Sequence, residues 1–328
     1  MKNILMLTTG GTISSIKSSE GLIPSTKDHV LKYLGNITNF NLTSEELMVL
    51  DSTNIQPEEW IKIATTIYNN LDKYDGIVVT HGTDTMAYTT SMISFMIQNP
   101  KIPVVFTGSQ LPIDNDLTDA TSNLRLAFKM ALSGIRGIFL AFDRQIILGS
   151  RAVKVRATSF HAFESINSNP IATLDSNGLT IHNDSLPNYT KDTIFNTNIN
   201  SNIFLLKLTP ATNPSIISLL INAGYKGIVI EAFGQGGLQF VRRDFIPSLM
   251  EAKSKNVAIV VSSQCLYDGA NLNIYQVGKK ALQTGVIESR DMTCEASVTK
   301  LMYALGQTSD LDEVKKIFET NLAGEMRK

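Results

Sequence analysis

The sequence predicts an α/β protein with a larger N-terminal domain, built on a doubly wound and mostly parallel sheet, and a smaller C-terminal α/β domain. Short apolar runs alternate with longer segments of helical periodicity, the order that places helices on both faces of a parallel sheet. The runs are apolar at nearly every position, as strands buried on both faces are. A polar stretch at 186–202 interrupts this alternation, which then resumes.

Five apolar runs in the first part of the chain are predicted to be buried strands. They are residues 3–7, 47–51, 76–80, 102–107 and 137–142. Two segments between them have the spacing of amphipathic helices. They are PEEWIKIATTIYNNLDKY, with Pro57 at a favourable first helical position, and SNLRLAFKMAL.

The segment 186–202 is rich in Asn, Thr and Ser and is predicted to be a linker. Residues 1–185 are therefore assigned to the N-terminal domain that carries the candidate site, and residues 203–328 to the C-terminal domain. Apolar runs at 203–208, 227–231 and 257–262 predict the strands of this second domain. A chain of 328 residues is long enough for two domains.

The composition is that of a soluble globular protein, with 43% hydrophobic and 18% charged residues. The net charge is −1, which gives no electrostatic reason for a nucleic-acid or anionic-membrane partner. The N-terminal apolar run is shorter than the roughly 7–15 residues of a secretory signal. The two cysteines, Cys265 and Cys294, suit a reducing compartment. We therefore expect a cytoplasmic protein.

Hydroxyl groups, glycines and a carboxylate follow four successive predicted strands. These strand ends read TTGGT (8–12), DSTN (51–54), THGTDT (80–85) and TGSQ (107–110). In open α/β sheets, ligands bind beyond the carboxyl ends of the strands. One such segment could be a turn that merely closes a strand, but four together predict a binding site at one edge of the sheet.

No cofactor or metal ion is predicted at this site. TGGT lacks the spacing and the lysine of a phosphate-binding loop, and GQGG (234–237) is followed by Gln239 where a dinucleotide fingerprint has glycine. The four histidines are scattered without ligand spacing, and His81 is expected to orient its loop rather than to act as a base. Ser109 is outside any G-x-S-x-G motif.

The remaining interpretation of these strand ends is nucleophilic catalysis by a hydroxyl group. A threonine hydroxyl becomes a good nucleophile when a base takes its proton, and a lysine kept neutral by burial could be that base. Gly11 and Gly82, beside the threonines, permit close approach of a substrate, and backbone N–H groups could stabilise an oxyanion. The residues therefore predict acyl transfer on a small polar molecule, with either Thr12 or Thr83 reactive.

The two strand-end segments TTGGTI (8–13) and THGTDTM (80–86) resemble the paired signatures of the bacterial-type L-asparaginases. The similarity extends along nearly the whole chain through DSTNIQPEEW, TGSQLP, GSRAVK and DMTCEASVTKL. Without a predicted secretion signal, the chain resembles the cytoplasmic type I enzymes. The resemblance implies hydrolysis of L-asparagine to L-aspartate and ammonia, without a cofactor, by a homodimer or homotetramer.

The resemblance also implies roles for individual residues. Thr12 matches the family nucleophile, and Thr83, Asp84 and Lys154 match its Thr–Lys–Asp arrangement. From the residues alone, Lys154 would be read as a solvated surface charge.

Substrate binding is implied at the same strand ends. Ser52 and Thr53 match the positions that hold the substrate α-carboxylate and α-amino group, with Asp84 pairing the ammonium and Gly11 and Gly82 lining the site.

Two positions depart from the family pattern. Many members carry a tyrosine on a flap after the first signature, whereas the similar stretch SSEGLIPS (18–25) has Leu22. Secreted members lend an asparagine from the second domain to a neighbouring site, and Gly237 occupies that position here.

Three alternatives stay open at the level of sequence. The chain could be a glutaminase-asparaginase or an ammonia-supplying subunit of a tRNA-dependent amidotransferase, although the latter usually has an extra N-terminal domain before the first signature. It could also be an amino-acid-binding sensor without catalysis, but binding alone would not require all of Thr12, Thr83, Asp84 and Lys154.

Overall fold

The structure is a computed structural model that describes residues 1–18, 21–23, 40–187, 189 and 191–327. The chain divides into two compact units, Met1–Thr197 and Asn198–Lys328. The predicted domain bounds at 185 and 203 stay a prediction. The flap stretch 18–25 lies partly outside the described residues.

The first unit contains strands β1 to β14 and helices α1 to α3. The strands are β1 (Lys2–Gly10), β2 (Ile16–Ser18), β3 (Gly21–Ile23), β4 (Phe40–Leu50), β5 (Gly76–Thr80), β6 (Ile97–Gln98), β7 (Pro103–Thr107), β8 (Gly137–Phe142), β9 (Gln145–Leu148), β10 (Ala152–Lys154), β11 (Phe163–Ser165), β12 (Ala172–Asp175), β13 (Gly178–Ile181) and β14 (Ile194–Phe195). The helices are α1 (Pro57–Tyr68), α2 (Met86–Met96) and α3 (Ala120–Ala131).

Eight of the described strands form one sheet in the order β13-β12-β9-β8-β7-β5-β1-β4. The five strands from β8 to β4 are parallel, so the predicted fold class is confirmed. Strands β9, β12 and β13 extend the sheet beyond β8, and each runs antiparallel to the strand before it in the sheet, which the sequence pattern did not predict. The reversal occurs at Asp143 and Arg144, which both have positive φ and form a tight hairpin turn.

Both faces of the sheet are buried. Ile4, Val78 and Val105 lie in a cluster with Leu124 of α3. Leu5 and the other alternate residues of these strands are equally buried on the opposite face. This is why the strands are apolar at successive positions rather than alternating.

Helix α1 begins at Pro57, as predicted, and its first turn is closed by Glu59, whose Oε2 accepts from the Gln56 N–H at 2.9 Å. The helix ends at Tyr68, earlier than the periodicity suggests. The Asn70 side chain donates to the Thr66 carbonyl at 2.8 Å, a local bond of the kind that competes with helix continuation.

The second unit has a parallel sheet in the order β15-β16-β17-β18. Its strands are β15 (Ile203–Lys207), β16 (Gly227–Ala232), β17 (Ala258–Ser263) and β18 (Ile287–Glu288). Its helices are α4 (Ser215–Asn222), α5 (Ile246–Ser254), α6 (Gln276–Gln283), α7 (Cys294–Gln307) and α8 (Leu311–Glu319). In the part of the chain that is described, no helix has the length and apolar character needed to cross a membrane.

A buried ion pair fixes the C-terminal segment of the second unit. Lys300 on α7 is fully buried, and its Nζ donates to Glu325 and, at 2.6 Å, to the Thr320 carbonyl. Glu325 also accepts from the N–H groups of Leu322 and Ala323. Burial lowers the pKa of Lys300, and the negative charge of Glu325 opposes that shift.

Replacing Lys300 with methionine is expected to lower the free energy of unfolding by about 3–5 kcal/mol, because the Glu325 carboxylate stays buried without its partner. Urea denaturation measures the change. Lys316, exposed on α8, is the control, and Lys316→Met is expected to change stability by less than about 0.5 kcal/mol. A loss below about 1 kcal/mol for Lys300→Met would show that the pair contributes little.

Candidate active site

Three strand ends converge at the carboxyl edge of the large sheet. Strand β1 lies between β4 and β5, with Thr8 opposite Thr80, so the turns that follow them are neighbours. A Cβ on Gly11 would lie 2.4 Å from the Gly82 nitrogen, and a Cβ on Gly82 would lie 2.6 Å from Ser52 Oγ. Gly11 also has a φ of 81°, so this close approach requires glycine.

Thr12 directly follows the Gly11 turn. It is partly exposed and begins a single 3₁₀ turn, Thr12–Ser14. Its hydroxyl makes no hydrogen bond within the described residues, whereas the neighbouring Ser14 and Ser15 hydroxyls both donate to the Gly11 carbonyl. Thr12 therefore presents a hydroxyl that is not engaged by that part of the protein.

Lys154 joins Thr83 and Asp84. Its Nζ donates to Thr83 Oγ1 at 2.8 Å and to Asp84 Oδ1 at 2.6 Å. Lys154 lies at the end of β10, which pairs with β11, and its side chain is only 15% exposed while that of Asp84 is 58% exposed. The arrangement holds an ammonium group against a buried hydroxyl on one side and a solvent-facing carboxylate on the other.

Gln110 also contacts Thr83, although the sequence pattern did not mark it as a site residue. The Thr83 hydroxyl donates to Gln110 Oε1 at 3.2 Å. Gln110 is the last residue of TGSQ, and this strand end was the only sequence signal that pointed to it.

Ser52 and Thr53 lie differently at this edge. Ser52 is buried, and its Oγ accepts from the Asp84 N–H at 3.3 Å. Thr53 is exposed, and both its N–H and its hydroxyl donate to Asp51 Oδ1. These two bonds, the hydroxyl bond foremost, lower the pKa of Asp51. The structure thus brings Ser52 against the loop of Thr83 and Asp84, whereas the Thr53 hydroxyl turns to Asp51.

His81 is fully buried beneath the site. Its Nδ1 lies 2.7 Å from the Gly82 carbonyl, which can only accept, so Nδ1 carries the hydrogen. Its Nε2 lies 3.0 Å from Thr89 Oγ1, which in turn accepts from Trp60 Nε1. Burial lowers the pKa of His81 to about 4, against an opposing effect of the Gly82 bond. Both nitrogens of the neutral ring are engaged, one with the loop at Gly82 and one with Thr89, and the role of His81 in orienting the loop stays a prediction.

Acid is expected to destabilise the protein through His81. Below pH 6.5 the unfolded chain binds a proton that the folded state, with a His81 pKa of about 4, does not bind. The stability of the folded state with a neutral, buried His81 is therefore fully present above pH 6.5, and part of it is lost as the pH falls towards 4. On lowering the pH from 7.5 to 4.5, wild type should lose roughly 2–3 kcal/mol more unfolding free energy than His81→Gln.

The comparison is made between the two proteins at each pH because Glu295 acts in the opposite direction. Burial, followed by the charge of Glu231, raises the pKa of Glu295 to about 7. Protonated Glu295 therefore contributes stability at pH 4.5, and this stability is lost as the pH rises through 7. Urea denaturation at both pH values provides the measurement. Equal losses in wild type and His81→Gln would contradict a neutral buried ring.

The chemistry available here is that of hydroxyl, ammonium and carboxylate groups. An unengaged threonine hydroxyl, a second threonine held by a lysine, and a carboxylate are the parts that acyl transfer requires. Among the described residues, no three or more His, Cys, Asp or Glu side chains are grouped so that they could hold a metal ion.

Comparison with family models covers most of the chain. The model described as "Asparaginase, N-terminal" matches residues 3–187, and "Glutaminase/Asparaginase C-terminal domain" matches residues 202–318.

Similar proteins carry two kinds of name. The chain is 41% identical to the L-asparaginase of Thermococcus kodakarensis over 327 residues, which is 98% of each chain. It is 37% identical to a Glutamyl-tRNA(Gln) amidotransferase subunit of Methanosphaera stadtmanae over 341 aligned residues, covering 99% of this chain and 77% of that protein.

Solved structures agree with the fold. The thermostable L-asparaginase from Thermococcus kodakarensis superposes with a TM-score of 0.94, covering 99% of each chain at 41% identity. L-asparaginase I from Vibrio cholerae superposes with a TM-score of 0.88 at 29% identity, covering 100% of this chain and 99% of that one. With both family models matched in order and such similarity along the full alignment, the chain belongs to the asparaginase family.

Proposed function

We propose that this protein is an L-asparaginase that hydrolyses the side-chain amide of L-asparagine to L-aspartate and ammonia through an ester on Thr12. The observation that carries the proposal is the contact of Lys154 Nζ with both Thr83 Oγ1 and Asp84 Oδ1, at the edge where the Gly11 and Gly82 turns meet. Membership of the asparaginase family supports the choice of substrate.

In the first step, Thr12 Oγ attacks the amide carbon of asparagine. The hydroxyl proton passes to the leaving nitrogen, the C–N bond breaks, and ammonia departs, which leaves a β-aspartyl ester on Thr12. The backbone N–H groups of Thr12 and Thr83 have no acceptor within the described ranges, so they are available to stabilise the oxyanion.

In the second step, water attacks the ester carbon and aspartate is released with restoration of the Thr12 hydroxyl. We assign the handling of protons and charge in both steps to Thr83, Lys154 and Asp84, because their hydrogen bonds form one connected unit on the loop that meets the Gly11 turn. A lysine that contacts a hydroxyl and a carboxylate at once can stabilise negative charge that develops on the neighbouring oxygen atoms.

Substrate orientation is assigned to the residues around this unit. The exposed Asp84 carboxylate pairs the α-ammonium, and Ser52 and Thr53 hold the α-carboxylate and α-amino end of the substrate. Gly11 and Gly82 are assigned to the lining of the site, where they let the neighbouring turns pack closely, since a Cβ at either position would collide with the next turn.

We also propose that the enzyme works in the cytoplasm as a homodimer or homotetramer on a free amino acid, without a nucleic-acid or membrane partner. Both cysteines are free thiols and Cys265 is exposed, which suits a reducing compartment. The net charge of −1 gives no attraction to a polyanion.

The experiment that tests the function is ammonia release by the purified protein from asparagine and from glutamine. With the α-carbon end and the reacting carbon both fixed, the extra methylene of glutamine must buckle, and a mismatch of this size costs about 10–200-fold. We expect asparagine to be preferred at least about tenfold in kcat/KM.

The other outcomes identify the alternatives. Equal rates with both amides would favour a glutaminase-asparaginase. Ammonia release that depends on a partner protein would favour an ammonia-supplying role within an amidotransferase, in line with the similarity to the Methanosphaera stadtmanae protein. Binding of asparagine without any release would indicate a sensor.

A further inference from the structure

We propose that Gln110 is a positioning residue for this reaction: its carboxamide sets the direction in which the Thr83 hydroxyl donates its hydrogen, so that the Thr83 oxygen faces Lys154 as an acceptor. The inference deepens the proposed function and rests on it. Gln110 acts through Thr83, and no contact with the substrate is required of it.

The orientation of the Gln110 carboxamide is determined by its neighbours. Nε2 lies 3.0 Å from the carbonyl oxygen of Ala157 and 3.0 Å from that of Ser159. Carbonyl oxygens only accept, so the NH₂ group must point to them, and a flipped amide would place two acceptors against each other. Oε1 is therefore the atom that faces Thr83 Oγ1 at 3.2 Å.

The single hydrogen of the Thr83 hydroxyl then has one possible acceptor of the two groups beside it. An ammonium Nζ on Lys154 can only donate, and it lies 2.8 Å from Thr83 Oγ1. Gln110 Oε1 can only accept. Thr83 therefore donates to Gln110 and accepts from Lys154, so the hydrogen bonds run from Lys154 through Thr83 to Gln110.

Gln110 is itself held rigidly. Its N–H donates to both carboxylate oxygens of Asp119 at 3.1 Å, and the neighbouring Leu111 N–H donates to the same group. Asn123 Nδ2 donates to Asp119 Oδ2 at 3.0 Å. A side chain fixed at both its backbone and its amide end can impose an orientation on a hydroxyl that would otherwise rotate.

The carbonyls that hold the Gln110 amide belong to the loop 155–162, which connects β10 to β11 and starts directly after Lys154. The competing explanation is that Gln110 only holds this loop in place and has no influence on Thr83. Arg156 provides the matched comparison, because its Nη1 donates to the His161 carbonyl at 3.0 Å and to Glu164 at 2.8 Å without touching Thr83.

The test compares Gln110→Met with Arg156→Met, in steady-state kinetics with asparagine. Gln110→Met keeps the length of the side chain and removes its hydrogen bonds. We expect kcat to fall at least about tenfold for Gln110→Met, as for loss of a group that orients proton transfer, and to stay within about twofold for Arg156→Met. Asparagine binding by calorimetry in the inactive Thr12→Ala background should change less than about threefold on adding Gln110→Met.

Three results would overturn the inference: a kcat for Gln110→Met within about twofold of wild type, an equal fall in both variants, or a loss carried by substrate binding. Melting curves establish that each variant is folded, and Gln110→Ala, with the same expectations, replaces Gln110→Met if that variant does not fold. Wild-type turnover of asparagine is measured first, so a failure of the proposed function is seen before any variant is compared.

Discussion

Replacement of Thr12 by alanine is expected to abolish asparagine hydrolysis, with kcat at least about a thousandfold lower, because the proposed mechanism forms its ester on the Thr12 hydroxyl. The variant should fold normally, since the Thr12 hydroxyl makes no hydrogen bond within the described chain and the residue is partly exposed. Ammonia release measures activity, and asparagine binding by calorimetry establishes that the site is intact.

Thr12→Ser is the matched control, because it removes a methyl group but keeps the reacting oxygen. It should retain far more activity than Thr12→Ala. A Thr12→Ala protein with more than a few per cent of wild-type turnover would assign the nucleophile to another residue.

Replacement of Lys154 by methionine is the second large effect, with kcat expected to fall at least about a hundredfold. Methionine fills a similar space but cannot donate to Thr83 Oγ1 or Asp84 Oδ1, so both contacts of the ammonium are lost. Substrate binding should also weaken, since Lys154 would no longer hold Asp84, the residue proposed to pair the α-ammonium.

Lys101 is the control for the general effect of removing a lysine. Its Nζ lies 2.6 Å from Asp72 Oδ1, the same distance as in the Lys154–Asp84 pair, but both side chains are more than half exposed. Lys101→Met is expected to leave kcat unchanged, because an exposed pair of this kind contributes little. Similar kinetics for the two variants would contradict the role given to Lys154.

The meeting of the strand-end turns at one edge of the sheet could be predicted from the sequence because each turn is local to its strand. A buried parallel strand and the polar turn after it are adjacent in the chain, and neighbouring parallel strands bring such turns together. The contacts of Gly11 with Gly82 and of Gly82 with Ser52 follow from that rule.

Lys154 could not be assigned to the site from local sequence patterns. It is 70 residues from Asp84 in sequence, and it follows a 3₁₀ turn, Gly149–Arg151, in a strand of three residues. Its burial depends on the pairing of β10 with β11, for which spacing gives no signal. From the residues alone it resembles a surface charge, and the family resemblance was needed to select it.

Gln110 and the antiparallel edge were missed for related reasons. The role of Gln110 depends on carbonyl groups of Ala157 and Ser159, which any residue could supply, so no side-chain pattern marks them. Strands β9, β12 and β13 are short, and the hairpin turn at Asp143 and Arg144 has positive φ angles without a glycine, so the usual sequence signal for such a turn is absent.

The central claim is that a threonine ester forms on Thr12, and mass spectrometry of Thr83→Val after incubation with asparagine tests it most directly. Loss of the Thr83 hydroxyl should slow hydrolysis of the ester, so the intermediate should accumulate. We expect the intact mass to rise by one β-aspartyl group and peptide mapping to place that group on Thr12. An aspartyl group on any other residue would contradict the account.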